Sequence, residues 1–377
     1  NQEVQVLAFD DHGSPDLAVQ LTRRMVEREN VDFVLTALSR ASLAAVAPIL
    51  GQARMFVLNL DQMPAPLAGA DCLPAMFDLG TPSDAIHEAA GAYFAAERMR
   101  RVVVVGQDGP QTDRALALLR RHWTGQVAAV LRPRHGATRF GAEIEAIRRQ
   151  APDAVYTLLS GGMGLAFVRE YAQAGLKPDM PLLGLGPAFE RPFLAAMDEQ
   201  GLDVLSLSSW SPDVDNPVNR RFVAEFEADT GRPATSWAAQ GYDAALLIES
   251  ALRATSGRTH DREALRHALR RAEFSPARGA VRFESNQGPV LPIVLRRVVR
   301  DAKGRPTLET RGVALREWHD PEAGQCPMRG VEPARAPVVA KPAVPLPSAP
   351  VAPVAPPPAP CVPSPVLDAP GEEPEGD

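Results

Sequence analysis

Residues 216–244 read NPVNRRFVAEFEADTGRPATSWAAQGYDA and predict two helices separated by a short break. Asn216 followed by proline is typical of a helix start, because the asparagine side chain can accept from free backbone N–H groups and proline fits the first turn. Gly231, with a proline two residues later, ends that helix. A second helix then opens on a face of small residues. We therefore predict helices near 217–230 and 235–254.

The chain on both sides of this stretch alternates short apolar strands with amphipathic helices. This alternation is typical of an α/β fold with parallel sheets. The first strand is predicted at 4–9, where it ends at an Asp-Asp pair, and a proline-started helix follows it. Further strands are predicted at 31–35, 55–58, 102–105, 127–131, 153–159, 181–185, 204–208, 279–284, 291–299 and 307–315. Further helices are predicted at 43–52, 84–98, 112–122, 140–150, 163–174, 189–199 and 261–271.

The composition is that of a globular protein with room for two domains. The chain has 377 residues, of which 45% are hydrophobic, and its formal net charge is −6. This charge gives no general reason to expect a nucleic-acid partner. The longest apolar stretches are of strand length, too short to span a membrane.

Residue patterns typical of catalytic or metal sites are missing from the sequence. The seven histidines are scattered without metal-ligand spacing, and no Gly-x-Ser-x-Gly elbow of a hydrolase occurs. The glycine-rich turn at 160–164 lacks the Lys-Ser/Thr ending of a phosphate loop. Cys72, Cys326 and Cys361 allow one disulfide, but the sequence does not choose its partners. We predict no enzymatic activity, no metal and no cofactor.

The composition changes after about residue 330. Residues 331–377 contain 15 of the 37 prolines and end in an acidic run. Proline neither donates to a sheet nor continues a helix, so this tail is expected to be extended or disordered. It could tether or bind a partner, or it could be a solvated segment without one.

Four segments resemble one family in type and order along the chain. They are FDDHGSPDLAV at 9–19, VDFVLTALSRASLAAVAP at 31–48, AQAGL at 172–176, and 216–244 taken together with GAVRF at 279–283. This pattern is similar to that of the type I periplasmic solute-binding proteins, the family of the leucine/isoleucine/valine-binding protein.

The resemblance implies two α/β lobes joined by a three-segment hinge, with crossovers near residues 81, 210 and 289. Lobe one would comprise residues 1–81 and 210–289, lobe two residues 82–209 and 290–330, and residues 331–377 the tail. In the family, one strand and one helix precede the strand that ends at the Asp-Asp pair. The resemblance therefore implies that lobe one of this chain lacks that first strand and helix, and with them one wall of the cleft.

The resemblance also implies a function without chemistry. Members of the family capture a small molecule between their lobes, and closure of the cleft signals occupancy to the permease subunits of an ABC transporter in the membrane. This chain would then act in the periplasm. The alternatives are a sensory or regulatory module that passes ligand occupancy to a partner protein, and a relative that binds nothing.

Family members that bind amino acids hold the ligand carboxylate at the start of the helix after the second strand. Ser39 and Ser42 fall at that place, and Arg40 beside them could add a bidentate grip. Alternatively, Ser39 only caps the helix, and Arg40 is solvated.

The remaining contacts of the family depart from its pattern. In the turn after the third strand, Met63 replaces a threonine, and Asp61 and Gln62 lie beside it. Asp61 either contacts ligand or stabilises the turn. Gln111 and Ser160 stand where aromatic residues are usual.

Gly186 stands near the position of the glutamate that meets the ligand ammonium. Without that carboxylate and the aromatic walls, an α-amino acid would bury an unpaired charge. Branched-chain amino acids are therefore disfavoured, and a neutral or monoanionic ligand, such as an aromatic acid, an amide or a short organic acid, fits the cleft better.

Overall fold

The computed structural model describes residues 4–328, which contain three sheets, of seven, three and two strands. The α-helices of the described part are α1 Pro15–Arg24, α2 Arg40–Gln52, α3 Ala65–Ala68, α4 Ser83–Ala96, α5 Pro110–Leu119, α6 Gly141–Gln150, α7 Gly161–Gln173, α8 Arg191–Met197, α9 Pro217–Thr230, α10 Ser236–Ala254 and α11 Arg262–Arg271. The strands are β1 Phe33–Thr36, β2 Phe56–Asn59, β3 Met76–Asp78, β4 Arg101–Val105, β5 Gln126–Leu131, β6 Ala154–Thr157, β7 Leu182–Leu185, β8 Leu205–Ser208, β9 Arg282–Phe283, β10 Pro289–Val290, β11 Ile293–Arg300 and β12 Pro306–Leu315.

The first lobe is built on a three-stranded parallel sheet in the order β1-β2-β3. Alternate side chains of a strand point to opposite faces, so each face needs its own cover. On one face, Val34 and Val57 pack against α1 and α2. On the other face, Phe56 and Phe77 pack against α10, α11 and the β9 strand.

The second lobe is built on a seven-stranded sheet in the order β12-β11-β8-β7-β6-β4-β5. The five strands from β8 to β5 are parallel, whereas β11 is antiparallel to both β8 and β12. Apolar clusters cover both faces, one around Phe167 and Tyr171 and the other around Phe94 and Tyr156. This arrangement confirms the predicted α/β fold with two parallel-sheet lobes.

The chain passes between the sheets of the two lobes three times: between β3 and α4, between β8 and α9, and between β10 and β11. After β12 it returns to the first lobe, where Cys326 is bonded to Cys72. In parallel sheets built this way, the loops at the carboxyl ends of the strands gather at one edge. The exact lobe boundaries predicted above stay a prediction. The prediction of a disordered tail falls on residues 331–377, outside the described residues.

The two helices predicted from residues 216–244 are confirmed. Asn216 Oδ1 accepts from Val218 N at 2.9 Å, and Gly231 ends α9 in the left-handed region at φ 65°. Thr235 Oγ1 then accepts from Ala238 N at 3.2 Å and caps α10. The two caps and the glycine helix end each depend on residues close together in the sequence, which is why the pattern predicts them.

The strand predicted at 4–9 is wrong. These residues have no strand conformation, and the side chains of Val4 and Val6 are 80% and 83% exposed. A strand needs a hydrogen-bonded neighbour, and within residues 4–328 the β1 edge pairs only with β2. The alternation of apolar residues at 4–9 is compatible with a strand, but it does not determine whether a neighbouring strand is present to pair with it.

One disulfide is present, and it joins Cys72 to Cys326 across 254 residues of sequence. It links the loop after α3 to the segment that follows β12. Cys361 lies outside the described residues. Among the described helices, none combines the length and apolar character needed to cross a membrane.

Candidate functional site: the cleft between the lobes

Three buried polar side chains are hydrogen-bonded in a row at the carboxyl ends of β1, β2 and β3 in the first lobe. Thr36 Oγ1 donates to Asn59 Oδ1 at 3.1 Å, and Asn59 Nδ2 donates to Asp78 Oδ1 at 2.9 Å. The three residues are register neighbours at the ends of β1, β2 and β3. Burial raises the pKa of Asp78 to about 7, although Asn59 and the Gly80 N–H act against it. These hydrogen bonds join the carboxyl ends of β1, β2 and β3, so the loops that follow these strands begin at fixed positions.

Arg40 lies where the two lobes meet. Its Nη2 donates to Gln62 Oε1 at 3.2 Å and to Ser83 Oγ at 3.0 Å. Gln62 in turn donates to Thr81 O at 2.7 Å and accepts from the Ser83 N–H at 2.9 Å. Arg40 is exposed, and no ion pair joins it to a carboxylate within residues 4–328. The guanidinium is thus oriented by neutral partners and keeps N–H donors for a ligand.

Ser39 and Ser42 form a second short chain of hydrogen bonds. Ser39 Oγ accepts from Ser42 N at 3.1 Å and caps α2, as the alternative interpretation expected. Ser42 Oγ donates to Asp11 Oδ2 at 2.8 Å and is fully buried. Contact of either serine with a ligand stays a prediction.

Asp61 and Met63 occupy the loop after β2. Burial raises the pKa of Asp61, while the Gln62 N–H and the Arg40 charge lower it. Met63 is half-buried against the apolar cluster of α1 and α2. Gln62 is hydrogen-bonded to Arg40, and Asp61 lies close enough for the charge of Arg40 to lower its pKa.

Gln111 and Ser160 are on the second lobe. Gln111 lies in the first turn of α5 and Ser160 precedes α7, and both are exposed. No hydrogen bond among the described residues joins them to the Arg40 network. Their part in the site stays a prediction.

Two further residues, Gln107 and Trp237, were not predicted from the sequence, and their part in ligand binding is a proposal. Gln107, just after β4, lies with its Nε2 2.7 Å from His135 Nδ1 and donates to Met163 Sδ at 3.5 Å. Trp237, in the first turn of α10, is 43% exposed. A large aromatic side chain in a helix start otherwise made of small residues was the available signal.

A small network of hydrogen bonds joins two of the chain crossings. The Thr81 and Ser209 hydroxyls bond to each other. Gln240 of α10 satisfies all its groups when its amide nitrogen donates to Leu60 O at 2.9 Å and its oxygen accepts from Thr81 Oγ1 at 3.0 Å. No group of three His, Cys, Asp or Glu side chains within residues 4–328 is arranged to hold a metal ion.

Two lobes on parallel sheets, three chain crossings and polar loops gathered between them define a two-lobed solute-binding protein. The family model described as "Periplasmic binding protein" matches residues 1–304, and the chain belongs to this family. The chain is similar to the Leu/Ile/Val-binding protein homolog 6 of Brucella melitensis, with 26% identity over 300 residues that cover 77% of this chain and 76% of that protein.

Two solved structures illustrate the likeness. An ABC transporter substrate-binding protein from Sphaerobacter thermophilus is 26% identical with a TM-score of 0.75, over 82% of this chain and 86% of that one. An ABC transporter solute-binding protein from R. palustris in complex with benzoate is 24% identical with a TM-score of 0.71, over 83% and 86%. The second likeness shows the fold alone.

Proposed function

We propose that this chain is the extracytoplasmic solute-binding component of an ABC-type transporter, and that it captures a small organic carboxylate between its lobes. The observation that carries the ligand class is Arg40, which is held by Gln62 and Ser83 and has no carboxylate partner within residues 4–328. Arginine binds carboxylates through paired, charge-assisted hydrogen bonds. A ligand carboxylate at this place would bridge the two lobes through one guanidinium.

The surroundings of Arg40 favour a monoanion over an α-amino acid, which also needs an ionised partner for its ammonium. Within residues 4–328 no carboxylate is hydrogen-bonded to the Arg40 side chain, and Asp11 accepts from Ser42 Oγ. An acidic residue at position 186 would require the backbone to move, because a Cβ there would lie 2.3 Å from Leu207 O. A glutamate at Gly186, near the position where amino-acid binders of the family carry one, is therefore disfavoured by the backbone.

We infer that Trp237 and Met163 contact an aromatic or short aliphatic body of the ligand. Trp237 offers an exposed ring at the start of α10, and Met163 lies beside Gln107 at the facing edge of the second sheet. Benzoate is the ligand of the R. palustris protein. For this chain, the carboxylate assignment rests on Arg40.

The disulfide supports a location outside the cytoplasm. Cys72 and Cys326 are bonded to each other, and structural disulfides persist mainly in oxidising compartments such as the periplasm. Permease subunits are the partners that this role requires. They would read the closed, ligand-bound state of the two lobes.

The test is a thermal-shift panel on the purified full chain with benzoate, 4-hydroxybenzoate, benzamide and leucine. A ligand that binds only the folded state at a hundredfold excess over its Kd adds about 2.7 kcal/mol to the free energy of unfolding. We expect the two acids to raise Tm, benzamide to raise it less, and leucine to leave it unchanged. If leucine alone raises Tm, the ligand class proposed here is wrong.

A further inference from the structure

A second cavity opens on the first lobe at the amino ends of β2 and β3. Its volume is about 390 Å³, and it is lined by the end of α2, the segments leading into β2 and β3, and the first turns of α11. The inter-lobe cleft lies at the carboxyl ends of the same strands. This amino-edge cavity is therefore at the opposite edge of the sheet from Arg40.

The walls of the amino-edge cavity are mostly apolar, and its charged groups are mostly arginines. Arg54, Arg262 and Arg266 line it together with one carboxylate, Glu263. Glu263 is already paired with Arg266 at 2.6 Å and lies 3.2 Å from His267 Nε2. The apolar lining residues include Leu50, Met55, Phe56, Leu73, Pro74 and Met76.

Two of the three arginines have no carboxylate partner within residues 4–328, namely Arg54 and Arg262. The Arg262 guanidinium stacks over the Phe56 ring at 4.4 Å from its centroid. Its Nη2 is shielded from solvent and has no hydrogen-bond partner among the described residues. Because this Nη2 is closed off from solvent, an acceptor in the cavity would instead bind the other N–H groups of Arg262 and those of Arg54.

The electrostatics agree with an anionic occupant. Burial and the charge of Arg54 lower the pKa of Arg262, and Asp32 acts in the opposite sense. Two guanidinium groups thus crowd one apolar space and repel each other. An anion placed between them would offset this repulsion.

We propose that the amino-edge cavity binds a small apolar carboxylate of the alkanoate type, with its carboxylate on Arg54 and Arg262 and its chain against Phe56 and Met76. The volume suits such a molecule, since ligand pockets begin at about 300 Å³. This site is separate from the inter-lobe cleft and does not depend on the ligand that the cleft takes.

The test is isothermal titration of the full chain with octanoate and, in parallel, with octan-1-ol. We expect saturable octanoate binding, with octan-1-ol at least about tenfold weaker because it lacks the charge. Arg262→Met keeps the aliphatic stem and removes the donors, so it should weaken octanoate binding at least about tenfold. Arg271→Met is the matched control: Arg271 is on the same helix, exposed and outside the cavity. It should leave binding within about twofold.

Arg40→Met separates this site from the inter-lobe cleft and should leave octanoate binding unchanged. The proposal is wrong if octanoate does not bind, if octan-1-ol binds as tightly, or if Arg262→Met binds octanoate like the natural chain. Octanoate binding that is lost in Arg40→Met and kept in Arg262→Met would assign the ligand to the cleft and also overturn it. If Arg262→Met does not fold, the comparison of octanoate with octan-1-ol in Arg40→Met decides, because that variant keeps the cavity and lacks the cleft guanidinium.

Discussion

Glu190 and Arg296 form an ion pair that is completely buried, with 3.1 Å between Glu190 Oε1 and Arg296 Nη1. The other carboxylate oxygen of Glu190 accepts from the Ser236 N–H at 3.1 Å, at the first turn of α10 in the first lobe. Arg296 also donates to the carbonyls of Gly186 and Trp210. One ion pair therefore connects β11 of the second lobe, the helix start in the first lobe and the chain crossing after β8.

Glu190→Gln is expected to lower the free energy of unfolding by about 3–5 kcal/mol, because it leaves a buried guanidinium without its counter-charge. Urea denaturation followed by circular dichroism measures this loss. Glu225→Gln removes the exposed partner of Arg221 and should cost no more than about 0.5 kcal/mol. Equal losses of unfolding free energy in the two variants would show that the buried ion pair contributes no more to stability than the exposed one.

Removing the Cys72–Cys326 disulfide is expected to lower the free energy of unfolding by about 2–5 kcal/mol, since it closes a loop of 254 residues. The double variant Cys72→Ser, Cys326→Ser measures the loss by the same denaturation. Thiol titration of the unfolded, unreduced chain gives an independent check. Three cysteines less one bonded pair should leave one reactive thiol, and a count of three would contradict the pairing.

Asp78→Asn is expected to change how stability depends on pH. The pKa of Asp78 is raised to about 7, so between the ordinary carboxyl pKa and about 7 the folded protein holds a proton that the unfolded chain has released. The unfolding free energy of the natural chain therefore falls, through this group, as pH rises across that range. Burial lowers the pKa of His87 to about 4, which acts in the opposite sense but is common to both chains.

The stability difference between Asp78→Asn and the natural chain isolates that contribution. We expect the unfolding free energy of Asp78→Asn to rise relative to that of the natural chain from about pH 4 to about pH 7, and the difference to level off above that. Denaturant midpoints at several pH values measure it. A difference that stays constant over this range would mean that Asp78 is ionised throughout.

Trp237→Ala is expected to weaken binding of an aromatic acid about tenfold or more, because stacking on an aromatic ring and burial of its area are lost. Its effect on stability should be small, since the ring is 43% exposed. Isothermal titration with 4-hydroxybenzoate measures the affinity, and Tm without ligand is the control. Unchanged affinity would place Trp237 outside the ligand contact.

The sequence allows prediction of features that depend on neighbours along the chain. Asn216, Gly231 and Thr235 set the ends of α9 and α10 through local caps, so both helices were predicted closely. The strand at 4–9 failed because pairing depends on a distant edge. The meeting of Arg40 with Gln62 follows from parallel strands whose carboxyl ends share one edge.

The pairing of Arg296 with Glu190 could not be predicted, because the partners are 106 residues apart and meet only through the sheet order. A signal was nevertheless present in β11. Val294, Arg296 and Val298 alternate toward the same face, and all three are buried. A charge among inward-pointing apolar residues indicates a buried partner.

The most direct test of the account is isothermal titration of benzoate or 4-hydroxybenzoate into the natural chain and into Arg40→Met, with Arg221→Met as the control for loss of an exposed arginine. Loss of a charge-assisted carboxylate contact costs about 1.5–3 kcal/mol, so Arg40→Met should bind at least about tenfold more weakly. Arg221→Met should bind like the natural chain. Equal affinity of Arg40→Met and the natural chain for these acids would contradict the account.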